Sequence, residues 1–202
     1  MKKVKHCVLV GTRPEIIKLS VLIKLLRKKQ SENEIEFVLV HSGQHYSHSL
    51  DSMFFQQLSL PEPKYNLSVG SLPHAKQIAK ILESFDEILK EEVPDVVYVQ
   101  GDTNTVFAGA LAASRRKVTV AHIEAGLRSY DKKMPEETNR IMTDHISNLH
   151  FVPTNTQKEL LCKENITGDS VHIVGNTIYD AVLNLCPIAQ EKSKILEKYV
   201  LS

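Results

Sequence analysis

No stretch of this sequence approaches the roughly 20 consecutive apolar residues that cross a bilayer, so no membrane partner is expected. Cysteine is scarce. Cys7, Cys162 and Cys186 are odd in number, far apart and form no CxxC pair, which argues against a disulfide framework and for a reducing, cytoplasmic compartment. Neither sign of charge dominates: 25 Lys and Arg stand against 24 Asp and Glu, and without a basic bias nucleic acid is not an expected partner. The common phosphate-binding fingerprints GxGxxG and GxxxxGK[ST] are missing too, so neither a dinucleotide site nor a P-loop is indicated. Internal repeats and low-complexity tracts are absent. The opening MKKVKHCVLVG has only a short apolar run before GTRPE. It reads as a first buried strand rather than a signal segment.

What remains is a chain of 202 residues, 42% hydrophobic, enough for one large domain or a domain with a C-terminal extension. Short apolar runs at His6–Val10, Ile35–His41, Val96–Gln100, Val118–Ile123, His150–Pro153 and Val171–Val174 read as strands. Between them, helical patterning covers Glu15–Lys29, Ser49–Leu58, Leu72–Glu92, Thr103–Ser114, Pro135–Leu149, a stretch near Asn155–Glu164, and a segment from Thr177 toward Tyr199. In the third helix, for example, Ile78, Ile81, Leu82, Phe85 and Leu89 recur at helical spacing. Strands alternating with helices predict an α/β fold, a doubly wound parallel sheet of Rossmann-like type. The one expected boundary is near Leu185–Gln190, where Pro187 interrupts the helical pattern. Residues 1–185 then form the Rossmann-like domain and 186–202 a helical extension.

Candidate chemistry clusters where strands end. Parallel strands open their carboxyl ends onto a common crevice, so residues far apart in sequence can meet there. In GTRPE, Gly11 permits a tight turn or a close backbone approach and Pro14 suits a helix start. Arg13 would then stand beside a helix N-terminus, where anions bind, with Lys18 a turn further on; a solvated arginine at a helix start explains the same residues. In HSGQHYSH, His41, His45 and His48 raise the question of metal, but they fall in a loop with no cysteine nearby and do not make a convergent ligand set. Gln44 and His45 fit polar donors near a ligand equally well as loop caps. Asp102 in GDTNT follows a strand directly; it is either an N-cap or, if Thr103 caps, a carboxylate free for chemistry. Glu124 in HIEAGLRS ends another apolar strand, where a carboxylate faces a crevice or a partner. Arg128 is its candidate partner, and Gly126 marks an unusual backbone. In MPEETNR, Glu136 and Arg140 at i and i+4, with Arg140 and Asp144 spaced alike, form either part of a site or ion pairs on a solvated face. VGNTIYDA reads as a structural turn, with Asn176 or Thr177 capping a helix.

Six strings in this order, GTRPEIIKL, SGQHY, VVYVQGDTNTVFAGALAA, VAHIEAGLRS, MPEETNRIMTDHIS and VGNTIYDAV, resemble the non-hydrolysing UDP-N-acetylglucosamine 2-epimerases. The resemblance runs from the start to about residue 183. It implies the N-terminal half of a GT-B-type two-domain architecture, with the 186–202 helix leading toward a second domain, and a chain inactive by itself. It implies an isomerase that interconverts UDP-N-acetylglucosamine (UDP-GlcNAc) and UDP-N-acetylmannosamine (UDP-ManNAc) for polysaccharide biosynthesis, by eliminating UDP to 2-acetamidoglucal and adding it back. Asp102, Glu124 and Glu136 would be the acid/base groups, supported by Lys18 and Arg140. Arg13 would contact the diphosphate, and Gln44, His45 and Arg128 complete the expected substrate contacts. No cofactor and no metal is implied. UDP-GlcNAc and UDP are the expected ligands, with a homodimer or a complementing C-terminal domain as protein partner. Competing expectations are a non-catalytic sugar-nucleotide binding or assembly module and the acceptor-side domain of a GT-B glycosyltransferase.

Overall fold

The computed structural model describes residues 2–44 and 48–193, with the side chains of 48–51 and 192 outside that description. Strands β1 (Lys5–Val10), β2 (Glu36–His41), β3 (Tyr65–Asn66), β4 (Val96–Gln100), β5 (Thr119–Ile123), β6 (Leu149–Val152) and β7 (Val171–Ile173) form one sheet in the order β3-β2-β1-β4-β5-β6-β7. Every pairing is parallel. The helices are α1 (Arg13–Ser31), α2 (His48–Gln57), α3 (His74–Glu92), α4 (Asn104–Arg115), α5 (Pro135–Ile146), α6 (Asn155–Lys163) and α7 (Thr177–Lys192). This is the expected doubly wound fold.

The sheet is covered on both faces, and the alternation of side chains along each strand shows how. Cys7, Leu9, Val38, Val40, Val97 and Val99 pack against Phe85, Leu89, Val106 and Ala110 of α3 and α4. Their neighbours Val8, Val10, Phe37 and Leu39 point the other way, onto Ile16, Leu19 and Ile23 of α1 and Phe55 of α2. Apolar residues on both faces give the near-continuous apolar strand runs seen in the sequence.

Three details depart from expectation. Strand β3 was not foreseen: two residues carry no periodicity, and they form a strand only by pairing with Val40 and His41 at the sheet edge. Helix α5 stops at Ile146 rather than Leu149, because Leu149 starts β6. The interruption expected at Pro187 does not occur. Helix α7 runs through it to Lys192, with Leu185 packed against the α1 side of the core. Among the described residues no helix is long and apolar enough to cross a membrane.

Strand order reverses between β1 and β4. The chain steps outward from β1 to β2 and β3, then returns to place β4 on the other side of β1. Helices α1 and α4 therefore leave adjacent strands toward opposite faces, which opens a gap at their carboxyl ends.

Candidate active site

The gap is a crevice of about 550 Å³, bordered by Glu15, Lys18, Gln100, Asp102, Glu124 and Arg140 among others. Gly11 stands in the turn just before Thr12, which lines the crevice. A Cβ at this position would lie 2.2 Å from Thr105 Oγ1, so only glycine lets the β1–α1 turn pack this close to α4. Thr103 caps α4, its Oγ1 accepting from the Val106 N–H at 3.4 Å. That releases Asp102 from capping, and its carboxylate pairs with Arg140 at 2.6 Å.

Glu124 follows β5 directly and holds φ at +65°. That left-handed conformation costs a non-glycine residue roughly 1–2 kcal/mol, so the surroundings must impose it. They do so from two sides. In front, Lys18 Nζ donates to Glu124 Oε2 at 2.8 Å, and the Gln100 amide donates to the same oxygen. Behind, the Gly126 N–H donates to Asp144 Oδ2 at 3.1 Å. The unusual backbone expected at Gly126 is present, at φ +78°, but it is shared with Glu124.

Glu136 is half-buried in an adjoining recess that it lines together with Gln44, Asn139 and Asp102. Asp102 and Thr103 border both spaces, so the crevice lined by Asp102 and Glu124 adjoins the recess lined by Glu136. The solvated ion pairs expected on α5 are not what forms. Arg140 pairs with Glu137 at 2.9 Å and with Asp102, while Asp144 turns inward to Arg128 and His122. Glu137 also accepts from the backbone N–H groups of Ser129 and Tyr130, each at 2.9 Å. Burial pushes its carboxyl up, but those bonds and Arg140 more than offset this and hold it at about 2. Asn139 Nδ2 donates to the Asp102 carbonyl at 2.9 Å, fixing that turn from the α5 side.

The remaining expected residues are distributed unevenly. Arg13 opens α1 beside the crevice, and its guanidinium lies 5.8 Å from the centre of the Phe54 ring, within cation–π range. Gln44 Oε1 accepts from Thr105 Oγ1 at 2.5 Å. His45 lies outside the described residues. Arg128 is not brought to the opening. Its side chain is 1% exposed and is held by Asp144 and Glu164, each at 2.7 Å. The Glu124–Arg128 pair weighed from the sequence is thereby replaced by Glu124–Lys18 and Arg128–Asp144.

Glu15 was missed. Its Oε2 accepts from the Gly11 N–H at 2.6 Å, and its Oε1 accepts from the hydroxyls of Thr12 at 3.0 Å and Thr103 at 2.8 Å. One carboxylate thus staples the β1–α1 turn to the β4–α4 turn. Burial raises it to about 7, against the lowering effect of these hydrogen bonds. The available signal was the Thr12–Glu15 spacing, which is that of a capping box.

A switch-point crevice bordered by Glu15, Asp102, Glu124 and the cations Lys18 and Arg140, on a doubly wound parallel sheet, defines an α/β domain of Rossmann-like type. The chain belongs to the UDP-N-acetylglucosamine 2-epimerase family, whose profile matches residues 27–202. It is 50% identical over 191 residues to the UDP-N-acetylglucosamine 2-epimerase of Methanocaldococcus jannaschii, covering 95% of this chain and 51% of that one. A crystal structure of the M. jannaschii enzyme in complex with UDP-GlcNAc and UDP superimposes with a TM-score of 0.90, covering 96% of this chain and 52% of the other. A UDP-2,3-diacetamido-2,3-dideoxy-D-glucuronate 2-epimerase of Pseudomonas aeruginosa is 40% identical over 181 residues, 89% of this chain and 50% of the relative. The chain thus spans about half the length of the relatives it matches.

Proposed function

We propose that this chain forms one wall of a UDP-GlcNAc 2-epimerase active site and carries the carboxylates that move the C2 proton. The observation behind this is the arrangement of Asp102, Glu124 and Glu136 along two adjoining hollows that share Asp102, with Glu124 and Asp102 paired with cations, in a member of this family. The C2 hydrogen of the substrate is not next to a carbonyl and is only weakly acidic. Departure of UDP makes its removal feasible. As the C1–O bond breaks, its electron pair leaves on the diphosphate and positive character builds at C1. A carboxylate takes the C2 proton, and the C–H electrons form the C1=C2 bond of 2-acetamidoglucal. Return delivers a proton to the opposite face of C2 while UDP re-adds at C1. Carboxylates suit both tasks, stabilising the charge at C1 and transferring the proton. Lys18 and Arg140 keep the acids oriented, Gln44 lines the sugar side, and Arg13 is the cation for the diphosphate. A second domain or a second copy supplies the facing wall, with α7 leading toward it. A cytoplasmic location suits sugar-nucleotide chemistry of this kind.

Incubation with UDP-GlcNAc in D2O tests this, using the chain alone and the chain mixed with the second half of a relative. Deuterium at C2 and UDP-ManNAc in the mixture are expected. Tight binding of UDP-GlcNAc with no exchange in either sample would assign a binding module instead, the reading that the half-length match favours next.

A further inference from the structure

Beneath the turns that carry Asp102 and Glu124 lies a buried carboxylate that the proton chemistry does not use. Asp144 of α5 has a fully buried side chain. Its Oδ1 is 2.6 Å from His122 Nδ1, and its Oδ2 accepts from the Gly126 N–H at 3.1 Å and from Arg128 at 2.7 Å. His122, with a side chain 1% exposed, sends its other ring nitrogen, Nε2, to the Gly101 carbonyl at 2.8 Å.

The partners dictate the ring's protons. A carbonyl oxygen only accepts, so Nε2 must carry a hydrogen. Asp144 already accepts from the Gly126 N–H and from the Arg128 guanidinium, the bonding of a carboxylate. A carboxylate only accepts too, so Nδ1 must also carry a hydrogen. Two acceptor-only partners thus leave both ring nitrogens of His122 as donors. Arg128 stands between Asp144 and the partly exposed Glu164. Either neutral tautomer would leave lone pairs facing each other at one of the two contacts.

The two ends of this ring meet different turns. Gly101 immediately precedes Asp102, and Gly126 lies two residues after Glu124; both are in the left-handed region, at φ +85° and +78°. We propose that His122 and Asp144 are positioning residues for the reaction proposed above, with His122 acting as a doubly protonated strut that ties the Asp102 turn to the Glu124 turn. The assignment of a role in the reaction rests on that functional reading; the charge state and the tie between turns do not.

Nuclear magnetic resonance of the full chain labelled with 15N-histidine tests the strut. Both ring nitrogens of His122 should be protonated at neutral pH, and one bare nitrogen overturns the proposal. In Asp144→Asn, the Gly101 carbonyl 13C resonance and the amides of residues 124–126 should move together. Shifts confined to residues 124–126 overturn it. His122→Gln, which breaks the link at the ring itself, repeats this measurement if the first variant does not fold. In the C2 exchange assay both variants should exchange at least tenfold more slowly, with KM for UDP-GlcNAc within twofold. A loss confined to KM, or no loss, refutes the positioning role. If the unsubstituted protein itself fails to exchange, the functional reading falls, and the ring protonation and paired shifts still decide the strut.

Discussion

Lys18, in the second turn of α1, reaches across the sheet's order reversal to Glu124 at the end of β5, 2.8 Å away. The pair joins a helix on one side of the switch point to a strand on the other. Both side chains border the crevice, so a change at either is felt where substrate would bind.

Glu124→Gln keeps the shape of the side chain and removes its charge. C2 exchange in the complemented protein should fall by about 10²–10⁴-fold, the usual contribution of a positioned acid or base. The thermal midpoint should change little, because Lys18 is partly exposed and recovers solvation. Exchange rates and circular dichroism melts check the two halves of this expectation.

Backbone strain separates two further substitutions at this site. Glu124→Ala and Glu124→Gly lose the same ion pair, but only glycine relieves the φ of +65°. The glycine variant should be the more stable of the two by about 1 kcal/mol. Urea unfolding measures the difference, and equal stabilities would remove strain from the account of this turn.

Glu15 predicts a pH dependence of stability. Its folded value of about 7 lies above its ordinary 4.5, so the folded chain holds this proton more tightly than the unfolded one. The stability tied to that proton is fully present below about 4.5 and is lost as pH rises through about 7. Glu15→Gln removes the dependence and should be more stable than the parent at pH 8, by an amount on the order of 3 kcal/mol. Melts at pH 5 and pH 8 for both proteins provide the check; parallel pH profiles would show that burial does not govern this carboxyl.

Arg128 tests placement rather than charge. Removing it leaves Asp144 buried without its arginine, and such losses typically cost about 3–5 kcal/mol. Arg128→Ala should therefore unfold at markedly lower denaturant, while any UDP-GlcNAc affinity measured on the folded fraction stays within about threefold. A selective loss of binding would return Arg128 to the substrate contacts.

Much of this architecture could be read before any coordinates. Strands buried on both faces are long apolar runs, and helices between them carry their own period, so the strand–helix alternation was visible. So was the clustering of Asp102 and Glu124, because topology alone sends the ends of parallel strands to one place. What stayed hidden depended on direction and partnership. Spacing on α5 pointed to Glu136–Arg140, yet Arg140 turns to Glu137 and Asp102, a choice made by the fold's third dimension. Glu15 looked like an ordinary first-turn acid until Thr103, far along the chain, came to meet it. The left-handed Glu124 left no trace in composition, since nothing distinguishes a strained glutamate from a relaxed one in a string of letters. Pro187 misled in the other direction, reading as a break inside a helix that continues to Lys192.

The borders of the sheet have a consequence for self-association. At one margin β3 is two residues long, and at the other β7 is three. Such stubs give a neighbouring molecule almost no ladder of free peptide groups to continue, which blunts the usual route to fibrous aggregates. Lasting assemblies of this chain are then better built from helical surfaces, and among the described residues α7 turns Ile178, Tyr179, Val182 and Leu183 outward.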